Sequence, residues 1–159
     1  MEATFDDDTG EARTDAARAL VERFTEGVVD VQTDVALARV PEIVIDRGRH
    51  KHVLVELRAA NGETRVVLRA TAHCAYHANV AAALERECRE LGVACALRVL
   101  GGGRIERADV GDEDGPRVFV FGYSKTFGRA PGCNERAAEM VRRCGAFEGY
   151  RVSWSDDGY

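Results

Sequence analysis

Residues 75–92 read AYHANVAAALERECRELG, and the change of rhythm within them decides the fold. From Tyr76 onward Val80, Leu84, Cys88 and Leu91 recur at helical spacing, and the run stops at Gly92, a natural helix end, so a helix is predicted from Tyr76 to Gly92. On both sides the rhythm is that of strands. Upstream, Glu42 to Asp46 and His52 to Arg58 alternate, the second run placing Val53, Val55 and Leu57 on one face. Asn61-Gly62 is a hairpin turn into a third strand from Thr64 to about Thr71. Downstream, Val93 to Leu100 is β-rich, the triple glycine Gly101 to Gly103 is expected to turn the chain, and Ile105 to Val110 to pair back on it. An acidic turn at Gly111 to Pro116 leads to a strand at Arg117 to Gly122. Asn134 is the expected N-cap of a second helix with Ala137, Met140, Val141 and Cys144 on one face, and Tyr150 to Trp154 supplies a closing strand. The order strands, helix, strands, helix, strand predicts a single α/β domain, a mixed β-sheet of about six strands flanked by two main helices.

A chain of 159 residues, 45% hydrophobic, can bury one real core but is short for two. Its net charge of -5, from 22 Lys+Arg against 27 Asp+Glu, argues against a protein whose main task is gripping nucleic-acid phosphates. The acidity is concentrated: residues 1–34 hold ten acids and three bases (net -7), leaving seventeen acids and nineteen bases (+2) beyond them. Residues 1–36 therefore read as an acidic N-terminal extension, either helical in part, with Thr14 capping Ala16, Leu20 and Phe24, or a mobile arm. Residues 37–159 read as the functional domain. The five cysteines, at 74, 88, 95, 133 and 144, contain no CxxC pair, so neither a disulfide framework nor a zinc ribbon is expected. No apolar run reaches the length of a membrane span, and Asp6-Asp7-Asp8 lacks the basic character of a targeting signal; a cytoplasmic location is expected.

Several motifs carry chemistry. His77 stands at the head of the predicted helix, where partial positive charge favours neutral imidazole and nearby amides attract phosphate. His73 lies four residues before it, but Cys74 stands where a zincin helix needs its glutamate, so a metalloprotease is set aside and no metal or cofactor is expected. Gly101-Gly102-Gly103-Arg104 is neither a dinucleotide fingerprint, having Glu106 at the third glycine, nor a P-loop. Alone it reads as a tight turn, yet Arg104 fixed there can hold two phosphate oxygens at once. Gly122 to Gly128 encloses Ser124, Lys125 and Thr126, whose hydroxyls and amides can cradle an anion, although alone it is an ordinary surface turn. No GxSxG frame marks Ser124 as a nucleophile. Lys51 and Arg69 are, by default, solvated strand cations.

Taken together, Tyr76-His77-Ala78, Leu100 to Ile105, Gly122-Tyr123-Ser124 and the ending Trp154 to Tyr159 resemble the phosphohistidine phosphatase family, also called Janus/Ocnus, from about Pro41 to the last residue. The resemblance implies a compact α/β domain that removes phosphate from phosphohistidine in proteins, and by the same chemistry phospholysine, without a metal. By position it implies His77 as the catalytic residue and Lys51, Arg69, Tyr76, Arg104, Ser124 and Thr126 around the phosphate; Lys125, within the Ser124 turn, is counted among the phosphate-binding candidates with them. The chain departs from the family pattern at Thr126, where alanine is familiar, at His73, which replaces an aromatic residue, and at Lys125, which replaces an apolar one. Phosphohistidine-containing proteins are the implied partners, with no nucleic acid or membrane, and a monomer is expected. A module that binds phosphopeptides without turnover is the alternative, since the same anion cradle would serve it.

Overall fold

Alternation and helical spacing become structure along most of the chain. The computed structural model describes residues 2–27, 37–110 and 115–158; the rest of the acidic extension, most of the acidic turn and Tyr159 lie outside the described residues. The elements are α1 (Asp15–Glu26), β1 (Ile43–Ile45), β2 (Gly48–Arg58), β3 (Thr64–Ala70), α2 (His77–Glu90), β4 (Ala96–Ala108), β5 (Arg117–Phe121), α3 (Cys133–Arg143) and β6 (Arg151–Trp154). The sheet runs β1-β3-β2-β4-β5-β6, parallel at its two outer pairings and antiparallel between. It is the expected single α/β domain with a six-stranded mixed sheet, and the described residues hold three α-helices. One face packs Val53, Val55, Leu57 and Val67 against Val80 and Leu84 of α2 and Phe24 of α1; the other packs Leu54, Ile105 and Val120 against Ala137 and Val141 of α3.

Thr14 caps α1 as expected, its Oγ1 accepting the Ala17 N–H at 3.1 Å. Ahead of α1, Phe5 bridges Ala12 in a small hairpin, and Phe5 and Ala17 bury themselves on Ala78 of α2. The described part of the acidic extension thus joins the core.

Two expectations are corrected. Gly101 to Gly103 do not turn the chain, because β4 runs through them as one strand. They are glycines because their neighbours leave no space: a Cβ on Gly101 would stand 3.0 Å from Arg129 Cα, and one on Gly103 only 2.4 Å from the Phe121 carbonyl oxygen. Nor does Asn134 cap α3. That place falls to Gly132, at φ 77°, while Asn134 is buried in the first turn and its Nδ2 donates to the carbonyls of Gly122 and Ser155, tying β5 to the carboxyl-terminal segment.

One irregularity positions the site. Leu54 pairs with Gly101 and Val55 with Val99, so Leu100 is an extra residue in β4. A single inserted residue reverses which face later side chains take. Leu97 and Val99 face α2 before the bulge; after it the even-numbered residues do, which brings Gly102 and Arg104 to the same face as Lys51 and Val53.

Candidate active site

His77 is the first residue of α2, after Tyr76 in extended conformation, whose N–H is accepted by Asn79 Oδ1 at 3.0 Å. The imidazole lies over the glycines of β4, 6% exposed, with Nε2 2.9 Å from the Gly103 carbonyl oxygen. A carbonyl only accepts, so Nε2 carries the proton and the lone pair is on Nδ1. Gly102 makes this seat possible, since a Cβ there would meet His77 Cδ2 at 2.9 Å. The Cδ2–Nε2 edge is thus against the strand, and the Nδ1–Cε1 edge is turned from it. Burial, above all, lowers the His77 pKa from 6.5 to about 4; the Gly103 hydrogen bond opposes the shift, and the charges of Lys51 and Arg104 add to it. The ring is neutral at pH 7, for which burial matters more than the helix end.

Lys51 and Arg104 sit directly opposite one another across β2 and β4. Like charges in that relation destabilise a sheet. Lys51 Nζ also donates to the Ala75 carbonyl at 2.9 Å, close to the head of α2. With His77 the two cations line a pocket of about 270 Å³ that Tyr76, Lys125 and Thr126 also line, so six of the expected residues converge.

Two others do not line it. Ser124 is fully buried beneath Gly102, its Oγ accepting the Phe127 N–H at 3.0 Å, so its hydroxyl shapes the turn that presents Lys125 and Thr126. Arg69 is 1% exposed, and its guanidinium makes a two-bond fork to Glu87 of α2 (3.0 and 2.7 Å) and reaches the Pro41 and Leu68 carbonyls. In this position Arg69 fixes the lie of α2 on β3, and so the aim of His77.

Two features escape a reading of the sequence. Phe5, Asp6, Asp7 and Gly10 close the pocket from the N-terminal side. Phe5 rests on Tyr76 with ring centroids 5.2 Å apart. The usable signals were an aromatic residue isolated in an acidic run and the turn-forming character of Asp6 to Gly10. The second feature is His52, fully buried, with neither ring nitrogen in a well-formed hydrogen bond among the described residues, and with a pKa lowered by burial, and further by His77, from 6.5 to about 3, a weak contact with the Arg104 backbone opposing the shift. Also among the described residues, no three His, Cys, Asp or Glu side chains are grouped to hold a metal ion. No helix there is long and apolar enough to cross a membrane.

These two histidines tie stability to pH. The folded chain keeps both neutral, whereas the unfolded chain protonates them as the pH falls through 6.5, so the unfolded state binds more protons below that value. Stability is therefore expected to fall from pH 6.5 toward 4, by about 1.4 kcal/mol per pH unit for each histidine. Urea midpoints should show the decline, and His52→Leu should remove about half of its slope; a wild-type midpoint unchanged between pH 7 and 5 would refute the coupling. Gly102→Ala tests the seat of the imidazole. Its Cβ would stand 2.5 Å from the His52 carbonyl and 3.2 Å from Ser124 Cβ as well as against His77. A loss of about 2–4 kcal/mol in thermal or urea unfolding is expected, and a wild-type melt would show that this contact is not tight.

A mixed six-stranded sheet thus sets a buried neutral histidine beside a facing lysine and arginine in one α/β domain. The chain belongs to the Janus/Ocnus family, whose model matches residues 37–151. It is 31% identical over 130 residues to the 14 kDa phosphohistidine phosphatase of Sus scrofa, covering 77% of this chain and 95% of that protein. It is 28% identical over 133 residues to the sex-regulated protein janus-A of Drosophila orena, covering 83% and 91%, and 27% identical over 139 residues to janus-A of Drosophila yakuba, covering 86% and 96%. Lys51, Tyr76, His77, Arg104, Lys125 and Thr126 lie inside the stretch matched by the family model, and the wall formed by Phe5 to Gly10 lies outside it.

Proposed function

We propose that this protein is a phosphohistidine phosphatase that hydrolyses the phosphorus–nitrogen bond without a metal ion, with His77 as its catalytic residue. The observation that carries the reading is the face-to-face placement of Lys51 and Arg104 beside the neutral ring of His77. Two cations fixed side by side next to a neutral imidazole can hold phosphoryl oxygens while the ring nitrogen faces phosphorus. The relative from Sus scrofa bears the name of this activity.

A phosphoramidate bond is weak once its nitrogen is protonated, so placing a nucleophile in line and spreading charge over three phosphoryl oxygens does most of the work. Arg104 and Lys51 hold the oxygens, Lys125 and Thr126 close the far side, and Tyr76 shapes the pocket. The Nδ1 lone pair of His77 serves in one of two ways. It forms a bond to phosphorus as the substrate's P–N bond breaks and its imidazole departs with a proton, after which water releases phosphate; or it takes the proton of a water that attacks directly. An acid-labile, alkali-stable phosphate on the wild type that is absent from His77→Ala would establish the first route. Turnover in excess chelator equal to that of untreated protein is the expected result, and a loss restored by zinc or magnesium would overturn the metal-free reading.

A further inference from the structure

The phosphate pocket opens beside a second cavity of about 440 Å³, and Gly10, Lys125 and Thr126 line both. The N-terminal hairpin stands between them, held by specific contacts. Thr126 Oγ1 donates to the Gly10 carbonyl at 3.0 Å, and Lys125 Nζ lies 3.4 Å from the Asp7 carbonyl oxygen. Gly10, at φ 76°, lies so close that a Cβ would meet the Lys125 carbonyl carbon at 2.4 Å. Asp6 accepts the N–H groups of Asp8 and Thr9 at 2.9 Å and pairs with Arg13, so its carboxylate shapes the hairpin. The second cavity is edged by the exposed carboxylates of Glu11, Glu22 and Glu26. Its arginine, Arg18, is paired with Asp15. Lys51, Arg104 and Lys125 with the carboxylates of Asp6 and Asp7 line the first pocket, and the three glutamates with Arg18 and the shared Lys125 line the second, so negative charge predominates only in the second.

We propose that the hairpin and α1 form a substrate-selecting wall that favours phosphorylated polypeptides with a lysine or arginine within a few residues of the phosphorylated side chain. The inference rests on the phosphatase reading of the pocket. An extended chain advances about 3.3 Å per residue, so neighbours of a residue seated over His77 fall within reach of the second cavity. A basic side chain there meets carboxylates, whereas an acidic one meets like charge.

The test compares two phosphohistidine peptides of equal length, one flanked by lysines and one by glutamates, with phosphoramidate as a substrate that has no flanks. At low salt wild type is expected to prefer the basic peptide by about tenfold or more in kcat/KM. Glu11→Lys/Glu22→Lys, both at exposed positions, should erase that preference while phosphoramidate turnover stays at the wild-type level. No basic preference in wild type, or a preference changed by less than about twofold in the variant, would overturn the proposal. If wild type hydrolyses none of the three, it is the phosphatase reading that fails. The dissociation constants of the same peptides carrying a non-hydrolysable phosphonate then decide the selectivity by the same criterion.

Discussion

His77→Ala is expected to lose phosphohistidine hydrolysis, with kcat lower by about 10³-fold or more, while remaining folded. The loss follows from Nδ1, the ring nitrogen that carries the lone pair when Nε2 donates to Gly103. Nothing in the alanine variant replaces it. Folding should survive because the change removes one hydrogen bond and opens a small cavity over Gly102, a cost of about 1–3 kcal/mol. It also removes a buried ring that penalises the folded state in acid, so the variant's stability should depend less on pH. Phosphate release with circular dichroism melts checks both halves, and wild-type turnover in a folded variant would remove His77 from the chemistry.

Arg104→Ala is expected to lose about 10²-fold or more in kcat, the usual penalty for removing one donor that meets developing charge. The variant should remain folded, since Arg104 lies on the pocket side of β4 and outside the buried core clusters. A large loss of rate in a folded variant marks a residue that meets the ligand. Arg104→Lys keeps the charge but not the planar fork, and should fall between the two. Steady-state kinetics beside unfolding curves separates these outcomes, and unchanged kcat in Arg104→Ala would contradict the role.

Much of the sheet and α2 was legible because alternation and helical spacing are local signals, and Gly92 and Asn61-Gly62 punctuate them. The triple glycine was misread because a glycine in a turn and one in a crowded strand look alike in sequence. Only β5, α3 and α2, brought in by the fold, reveal the crowding. Asn134 suits a cap by type, but Gly132 holds that position and the amide reaches Gly122 and Ser155 instead. Arg69 reads as a phosphate cation by resemblance, yet its partner Glu87 lies eighteen residues away on another element. For the acidic extension the sequence left a capped helix and a mobile arm open, and the anchors that hold its described part are distant in sequence: Phe5 on Tyr76, Gly10 on Lys125. The convergence of Lys51, His77 and Arg104 was anticipated, while its means, a one-residue bulge at Leu100, leaves no mark in composition or spacing.

The most direct measurement is phosphate release from a phosphohistidine-bearing protein in large excess over the purified chain, followed with binding in the same sample. Many turnovers per molecule are expected. Tight, stoichiometric binding with no phosphate released would contradict catalysis and leave a phosphopeptide-binding module.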